Sequence, residues 1–272
     1  MLRLKGETSD KVRLIRSNLA QLSMISLAYN VQGWMGYPRH CLEGMSPKSV
    51  GKFFSEALAK YNPDIITLSE ASLGPILDTV IKELGVNHVI FPSSLSWPGV
   101  VLTKYRILQS KSYSLKRKYW SKGLFTRHWG KVLLEADLAV IAIHSLHLFP
   151  GPHPEVRELE IPEVLRVSKE DMDLGYSAIV QGDLNHGPGV CAYRLWKNAG
   201  FVDAFVETRA KEDRTFRSDD PRFRLDYVFA FGPVSENLLE CRVLNEPPFN
   251  SNKKDKEEYA LSDHLPVMAI FS

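Results

Sequence analysis

Ala178-Ile179-Val180-Gln181-Gly182-Asp183-Leu184-Asn185 decides how this chain is read. An apolar run ends in glycine, a carboxylate and, two residues on, an amide. The run has the length and composition of a buried strand. Gly182 lets the backbone turn without obstruction. If extended geometry continues, Asp183 and Asn185 point the same way. A Gly-Asp-x-Asn turn is the competing reading, because those residue types dominate turns. A second stretch, Ser262-Asp263-His264, opens the apolar run Leu265-Pro266-Val267. Together they place two carboxylates, an amide and an imidazole at strand ends, the set that metal-assisted cleavage of a phosphate ester requires.

Acids and imidazoles occur in matching contexts elsewhere. Glu70 follows the strand-like Ile65-Ile66-Thr67-Leu68, and hard oxygen ligands of this kind suit magnesium or manganese. Asp226 lies inside Arg224-Leu225-Asp226-Tyr227-Val228-Phe229. A carboxylate inside an apolar strand is costly unless paired. A histidine is the natural partner, its tautomer fixed by the acid, and Arg224 is the alternative. His144 and His147 are three apart in one run, so they fall on opposite faces. His147, nearer the strand end and the Pro150-Gly151-Pro152 loop, is the site candidate.

Around these runs the chain reads as strands and helices in one unit. Leu22 to Val31 is a strand ending at Asn30. Ser46-Pro47 starts a helix carrying Val50, Phe53, Phe54, Ala57 and Leu58 on one face. Leu73–Leu84 reads as a helix closed by Gly85, and Val190–Asn198 as one closed by Gly200. Pro154 to Lys169 reads as a helix bent or interrupted at Pro162. Strands are expected at His88–Phe91, Gly99–Thr103, Ile107–Tyr113, Val132–Leu148 (as two strands or one bent one), Tyr176–Gln181, Arg224–Phe231 and Leu265–Phe271. Strands outnumber helices and several are joined by turns, which favours mixed sheets. Residues Met1–Asn18 read as a basic, loosely ordered leader, residues 19–272 as a single domain, and Asn250–Glu258 as an exposed loop.

Composition narrows the class. The chain has 272 residues, 44% hydrophobic and 24% charged, as in ordinary globular proteins. Three widely spaced cysteines, Cys41, Cys191 and Cys241, form no metal-type motif and suit a reducing compartment. No secretion signal and no membrane-spanning apolar run is evident, so a cytoplasmic location is expected, with no obligate protein partner. A net charge of +2 does not by itself point to nucleic acid. Its distribution says more. Lys111, Lys116, Arg117, Lys118, Lys122, Arg127 and Lys131 alternate with Tyr113, Tyr119, Trp120, Phe125 and Trp129, with no acid among them. Such a strip suits an anionic partner with faces to stack on; a solvated hairpin face with core aromatics is the other reading.

These motifs together resemble the endonuclease/exonuclease/phosphatase superfamily of divalent-metal phosphohydrolases. Ile25-Ser26-Leu27-Ala28-Tyr29-Asn30, Asp64-Ile65-Ile66-Thr67-Leu68-Ser69-Glu70, Gly99-Val100-Val101-Leu102-Thr103-Lys104, Ser145-Leu146-His147-Leu148, Gly182–Asn185, Leu225-Asp226-Tyr227 and Ser262-Asp263-His264 follow the family order. The resemblance implies an α+β fold, a four-layer α-β-β-α sandwich of two mixed sheets. It implies that Glu70 and Asp263 hold Mg2+ or Mn2+ with Asn30 beside them. It further implies that Asp183 orients or deprotonates water, that Asn185 and His147 contact the scissile phosphate, and that His264, oriented by Asp226, is general base or phosphate clamp. Ser69 replaces the family's usual Gln, and Lys131 a common Arg. A Tyr-x-Pro-Asn pattern typical of abasic-site nucleases is missing. The expected activity is hydrolysis of phosphodiesters, with DNA or RNA as substrate and Lys131, Arg127 and Lys118 as binding residues. Phosphomonoesters or lipid phosphodiesters, and an inactive nucleic-acid-binding relative, are the alternatives.

Overall fold

The structure is a computed structural model that describes residues 23–136, 139–211, 213–251 and 259–272. The basic leader and most of the Asn250–Glu258 loop lie outside the described residues. In chain order the elements are β1 (Met24–Asn30), α1 (Pro47–Ala59), β2 (Ile65–Ser69), α2 (Pro75–Leu84), β3 (Asn87–Phe91), β4 (Gly99–Thr103), β5 (Arg106–Ser112) and α3 (Arg117–Trp120). Then come β6 (His128–Ala136), β7 (Ala139–His147), α4 (Pro154–Asp173), β8 (Ser177–Asp183), α5 (Cys191–Asn198), β9 (Val202–Asp203), α6 (Ala204–Glu207), β10 (Asp226–Phe231), β11 (Leu238–Val243) and β12 (Val267–Phe271).

Two six-stranded mixed sheets result, ordered β11-β12-β1-β2-β4-β3 and β5-β6-β7-β8-β10-β9. Each is built around one parallel pair, β1–β2 or β7–β8. A parallel pair needs a crossover, and α1 and α4 supply the two helical ones. The sheets face each other through Val132, Leu134, Ile143, Ile179 and Val228, which pack in one core with strands of the first sheet. Leu146, Val180, Tyr227 and Phe229 point the other way, onto Ile161 and Val164 of α4 and Trp196 of α5. The period-2 alternation of these strands thus serves two different apolar layers, so they read as continuous apolar runs.

Local signals place the helices. Ser46 caps α1, accepting from the Ser49 amide at 3.1 Å, with Pro47 at the first helical position. Gly85 closes α2 in the left-handed conformation. Pro162 does not interrupt α4, which runs for 20 residues. It sits on the exposed side of the helix. Strand β11 escapes sequence reading: Leu-Leu-Glu-Cys-Arg-Val lacks clean alternation, and its pairing with β12 shifts register between Leu238 and Glu240.

The topology positions the site. Strands β1, β2, β7 and β8 all end at one edge of the sandwich, delivering Asn30, Glu70, His147 and Asp183. Their antiparallel neighbours β10 and β12 start at that edge, bringing Asp226 directly opposite Asp183 and His264 just ahead of β12.

Candidate active site

Asp183 is the hub. Its Oδ2 accepts a hydrogen bond from Asn30 Nδ2 at 3.0 Å and lies 3.6 Å from His147 Nε2 and 3.7 Å from His264 Nε2. Its Oδ1 accepts from the Asn185 amide at 3.0 Å. Gly182 makes this placement possible. It holds φ +135°, and a Cβ there would lie 2.0 Å from the Leu146 carbonyl oxygen. Gly182→Ala is therefore expected to cost about 3 kcal/mol of stability through overpacking and backbone strain. Chemical denaturation checks this, and an unchanged midpoint would contradict it.

His264 donates from Nδ1 to Asp226 Oδ2 at 2.8 Å, the pairing expected for an acid in an apolar strand. Arg224, the alternative partner, instead binds Asp203 at 3.1 Å. Burial opposes charge on His264, but Asp226 and Asp183 outweigh it and raise its pKa to about 10. Burial raises Asp183 to about 7, opposed by the His264 charge and assisted by Asp226 and Glu70. His147 is buried, and burial followed by the cations around it holds it well below the usual histidine range, so it is neutral. Phe216 covers His264, with ring centroids 4.8 Å apart.

Glu70 and Asp263 complete the acidic side. Glu70, at φ +56°, brings Oε1 to 3.8 Å from His147 Nε2. Its pKa is raised by burial, with Asp263 contributing. Asp263 is raised by burial too, with Asp226 contributing. The Asp263 amide donates to Gln32 Oε1 at 3.3 Å, and Ser262 Oγ donates to the Asn30 carbonyl at 2.6 Å. Gln32 carries no sequence signal beyond its nearness to Asn30, while Ser262 opens the Ser262-Asp263-His264 motif without a role of its own there. Asp183, Asp226 and His264 also bring ligand-capable atoms within 4.8 Å of one another. Within the trio, the 2.8 Å Nδ1···Oδ2 contact joins His264 to Asp226 by a hydrogen bond. Glu70 and Asp263 are two partly exposed carboxylates, each made costly to ionise by burial and by neighbouring acids. That donor set fits a hard divalent cation.

Several expected residues are placed differently. Asn185 is not on an extension of β8. It turns at φ +52° and donates from Nδ2 to the Leu148 carbonyl at 3.1 Å, so the like-facing geometry expected for Asp183 and Asn185 does not hold. Lys131 does not reach the site. It shares a face of β6 with Trp129 and binds Asp171 of α4 at 2.5 Å, in a buried group with His144 and Trp129. Lys118 pairs with Glu163 of α4 at 3.1 Å. Four aromatics of the basic strip, Tyr113, Tyr119, Phe125 and Trp129, are core, with Tyr113 and Trp129 stacked at 3.9 Å; Trp120 is exposed. Arg127 does border the cluster. Its guanidinium lies 4.9 Å from the Trp97 ring, and burial lowers its pKa while Glu70 and Asp183 pull it up.

Two mixed sheets flanked by helices, with acids and imidazoles gathered at one edge, define a DNase I-like α+β hydrolase fold. Residues 46–264 match the model of the Endonuclease/Exonuclease/phosphatase family, and the chain belongs to that family. No curated protein sequence matches it. Solved structures similar in fold include truncated TDP2 from Caenorhabditis elegans, at 15% identity and TM-score 0.64, over 92% of this chain and 98% of that one. An endonuclease/exonuclease/phosphatase from Bacteroides vulgatus aligns at 17% identity and TM-score 0.71, over 92% and 98%. At such identities the likeness is one of fold.

Proposed function

We propose that this chain is a magnesium- or manganese-dependent phosphodiester hydrolase that acts on DNA or RNA. The observation carrying this reading is the Asp183 carboxylate, held by Asn30 and flanked by His147 and His264 beside the acids Glu70 and Asp263. Asp183 accepts the proton of the attacking water; its placement near neutrality suits a general base. His264, kept protonated by Asp226, faces charge that builds on the phosphate oxygens. His147, held neutral by burial, turns Nε2 toward Asp183 and Glu70, and Arg127 adds a cation at the border. Glu70 and Asp263, with Asn30 near them, would hold the divalent ion, which stabilises negative charge on the phosphate. Hydrolysis of single- and double-stranded DNA, RNA, sphingomyelin, inositol phosphates and an aryl phosphate diester in magnesium tests the reading. Cleavage of neither nucleic acid would overturn the substrate choice, and cleavage of no diester would overturn the reaction.

Nucleic acid is favoured by what remains of the basic strip. Lys111, Lys116, Arg117 and Lys122 have no acidic partner within ion-pair distance among the described residues, and Trp120 beside them is 62% exposed. Burial lowers the Lys116 pKa, and the neighbouring Lys111, Arg166 and Lys118 add to the shift. Segment 113–127 leaves and re-enters the sheet at the site edge, since Ser112 pairs with Gly130, and His128 with His147. The triple variant K116A/R117A/K122A is expected to weaken nucleic-acid binding. The slope of log affinity against log salt should flatten by about 0.9 for each duplex phosphate that is no longer neutralised. An unchanged slope in a binding titration would reduce the patch to solvated surface.

A further inference from the structure

The chemistry above leaves a fully buried carboxylate, Glu160, unused. Glu160 lies inside α4 with no exposed surface. Its Oε1 accepts the Phe125 amide at 2.7 Å and its Oε2 accepts the Phe149 amide at 3.0 Å. Neighbouring Arg157 turns its Nη1 to the Phe149 and Gly151 carbonyls, at 2.8 and 2.9 Å, closing the same loop from the other side. The two amides belong to separate segments that both reach the site. Phe125, in the left-handed conformation at φ +53°, leads through Thr126 to Arg127. Phe149 follows Leu148, whose carbonyl accepts Asn185 Nδ2 and whose amide donates to the Asp183 carbonyl at 3.0 Å.

We infer that Glu160 is a positioning residue, whose two carboxylate oxygens staple the Arg127 segment to the His147–Phe149 segment and so set the reach of Arg127 toward a bound phosphate. This rests on the phosphodiesterase reading. The residue type matters. Two N–H groups arrive from opposite loops, and only a carboxylate offers an acceptor to each; a glutamine would turn an amino group toward one of them. Burial raises Glu160 to about 7, and the Phe149 and Phe125 amides, then Arg157, pull it back. An acid held at that disadvantage inside an apolar layer would be expected to give way to a hydrophobic residue unless both contacts are needed.

The test compares E160Q with the wild-type chain, alone and combined with R127A. Amide hydrogen exchange is read at Phe125 and Phe149, and kcat and KM on whichever diester the wild type cleaves. E160Q is expected to lose protection at one of the two amides and to lower kcat/KM about tenfold, as misplacement of substrate-positioning groups does. R127A should then cost much less in the E160Q background than alone, because the arginine is already misplaced. A purely structural glutamate would leave the R127A penalty unchanged. Retained protection at both amides, or full multiplication of the two penalties, overturns the inference. If E160Q does not fold, E160D, one methylene shorter and still charged, should reach only one loop. A wild type inactive on every diester refutes the reaction, while the exchange result still decides the staple.

Discussion

Asp183→Asn lowers kcat by about a thousandfold or more and leaves substrate affinity little changed: this is the first expected result, at the upper part of the range for losing a general base. The replacement keeps the shape of the side chain at the hub. It removes the oxygen charge that Asn30 Nδ2 and the two imidazoles converge on. An amide can hold water in place but cannot take its proton. The loss should therefore fall on turnover rather than on binding, the signature of an interaction made in the transition state. Single-turnover kinetics beside a binding titration separates the two, and a melting curve shows whether the variant is folded. Hydrolysis at the wild-type rate would remove Asp183 from the mechanism.

Chelation should have an effect of similar size. If a divalent ion contributes several kcal/mol of charge stabilisation, its removal lowers the rate by about a thousandfold or more. Added magnesium or manganese should restore it. The proposed ion would also bear on stability. Glu70 and Asp263 are raised by burial and by neighbouring acids, so a cation that relieves them binds the folded state preferentially. The melting temperature of the wild type should rise with magnesium. Glu70→Gln should weaken metal binding by roughly a hundredfold and flatten that rise. Calorimetric titration reads the binding without any substrate. Full activity in excess chelator would contradict a metal enzyme, and unchanged metal affinity in Glu70→Gln would move the ion elsewhere.

Much of the fold is legible because this sandwich writes its strands as unbroken apolar runs bounded by turn residues. Asp226 could be read as half of a pair because an unpartnered acid in such a run is so costly. His144 and His147 separate by strand parity alone, and the structure places His144 on the α4 side with Asp171. Lys131 misleads for the same reason. Its position in β6 is right, but sequence does not say which face of that strand meets the helices. Lys118 and the strip aromatics are drawn into that helix layer as well. Asn185 misleads because one left-handed residue ends the alternation on which its orientation was read. Glu160 leaves no mark in the sequence, since a glutamate within a helix ordinarily faces water. Only the two loop amides arriving from distant segments reveal its use.

Several polar links at and behind this edge span the gap between the sheets. Asn30 reaches Asp183, His264 reaches Asp226, Ser69 reaches the Leu146 carbonyl at 3.4 Å, and deeper in, Ser26 reaches Gln181 at 2.7 Å. Neither slab owns a complete reaction centre. A substitution that thins or thickens the filling between them is expected to shift acid relative to imidazole, so packing in the interior bears on the geometry of the proposed site.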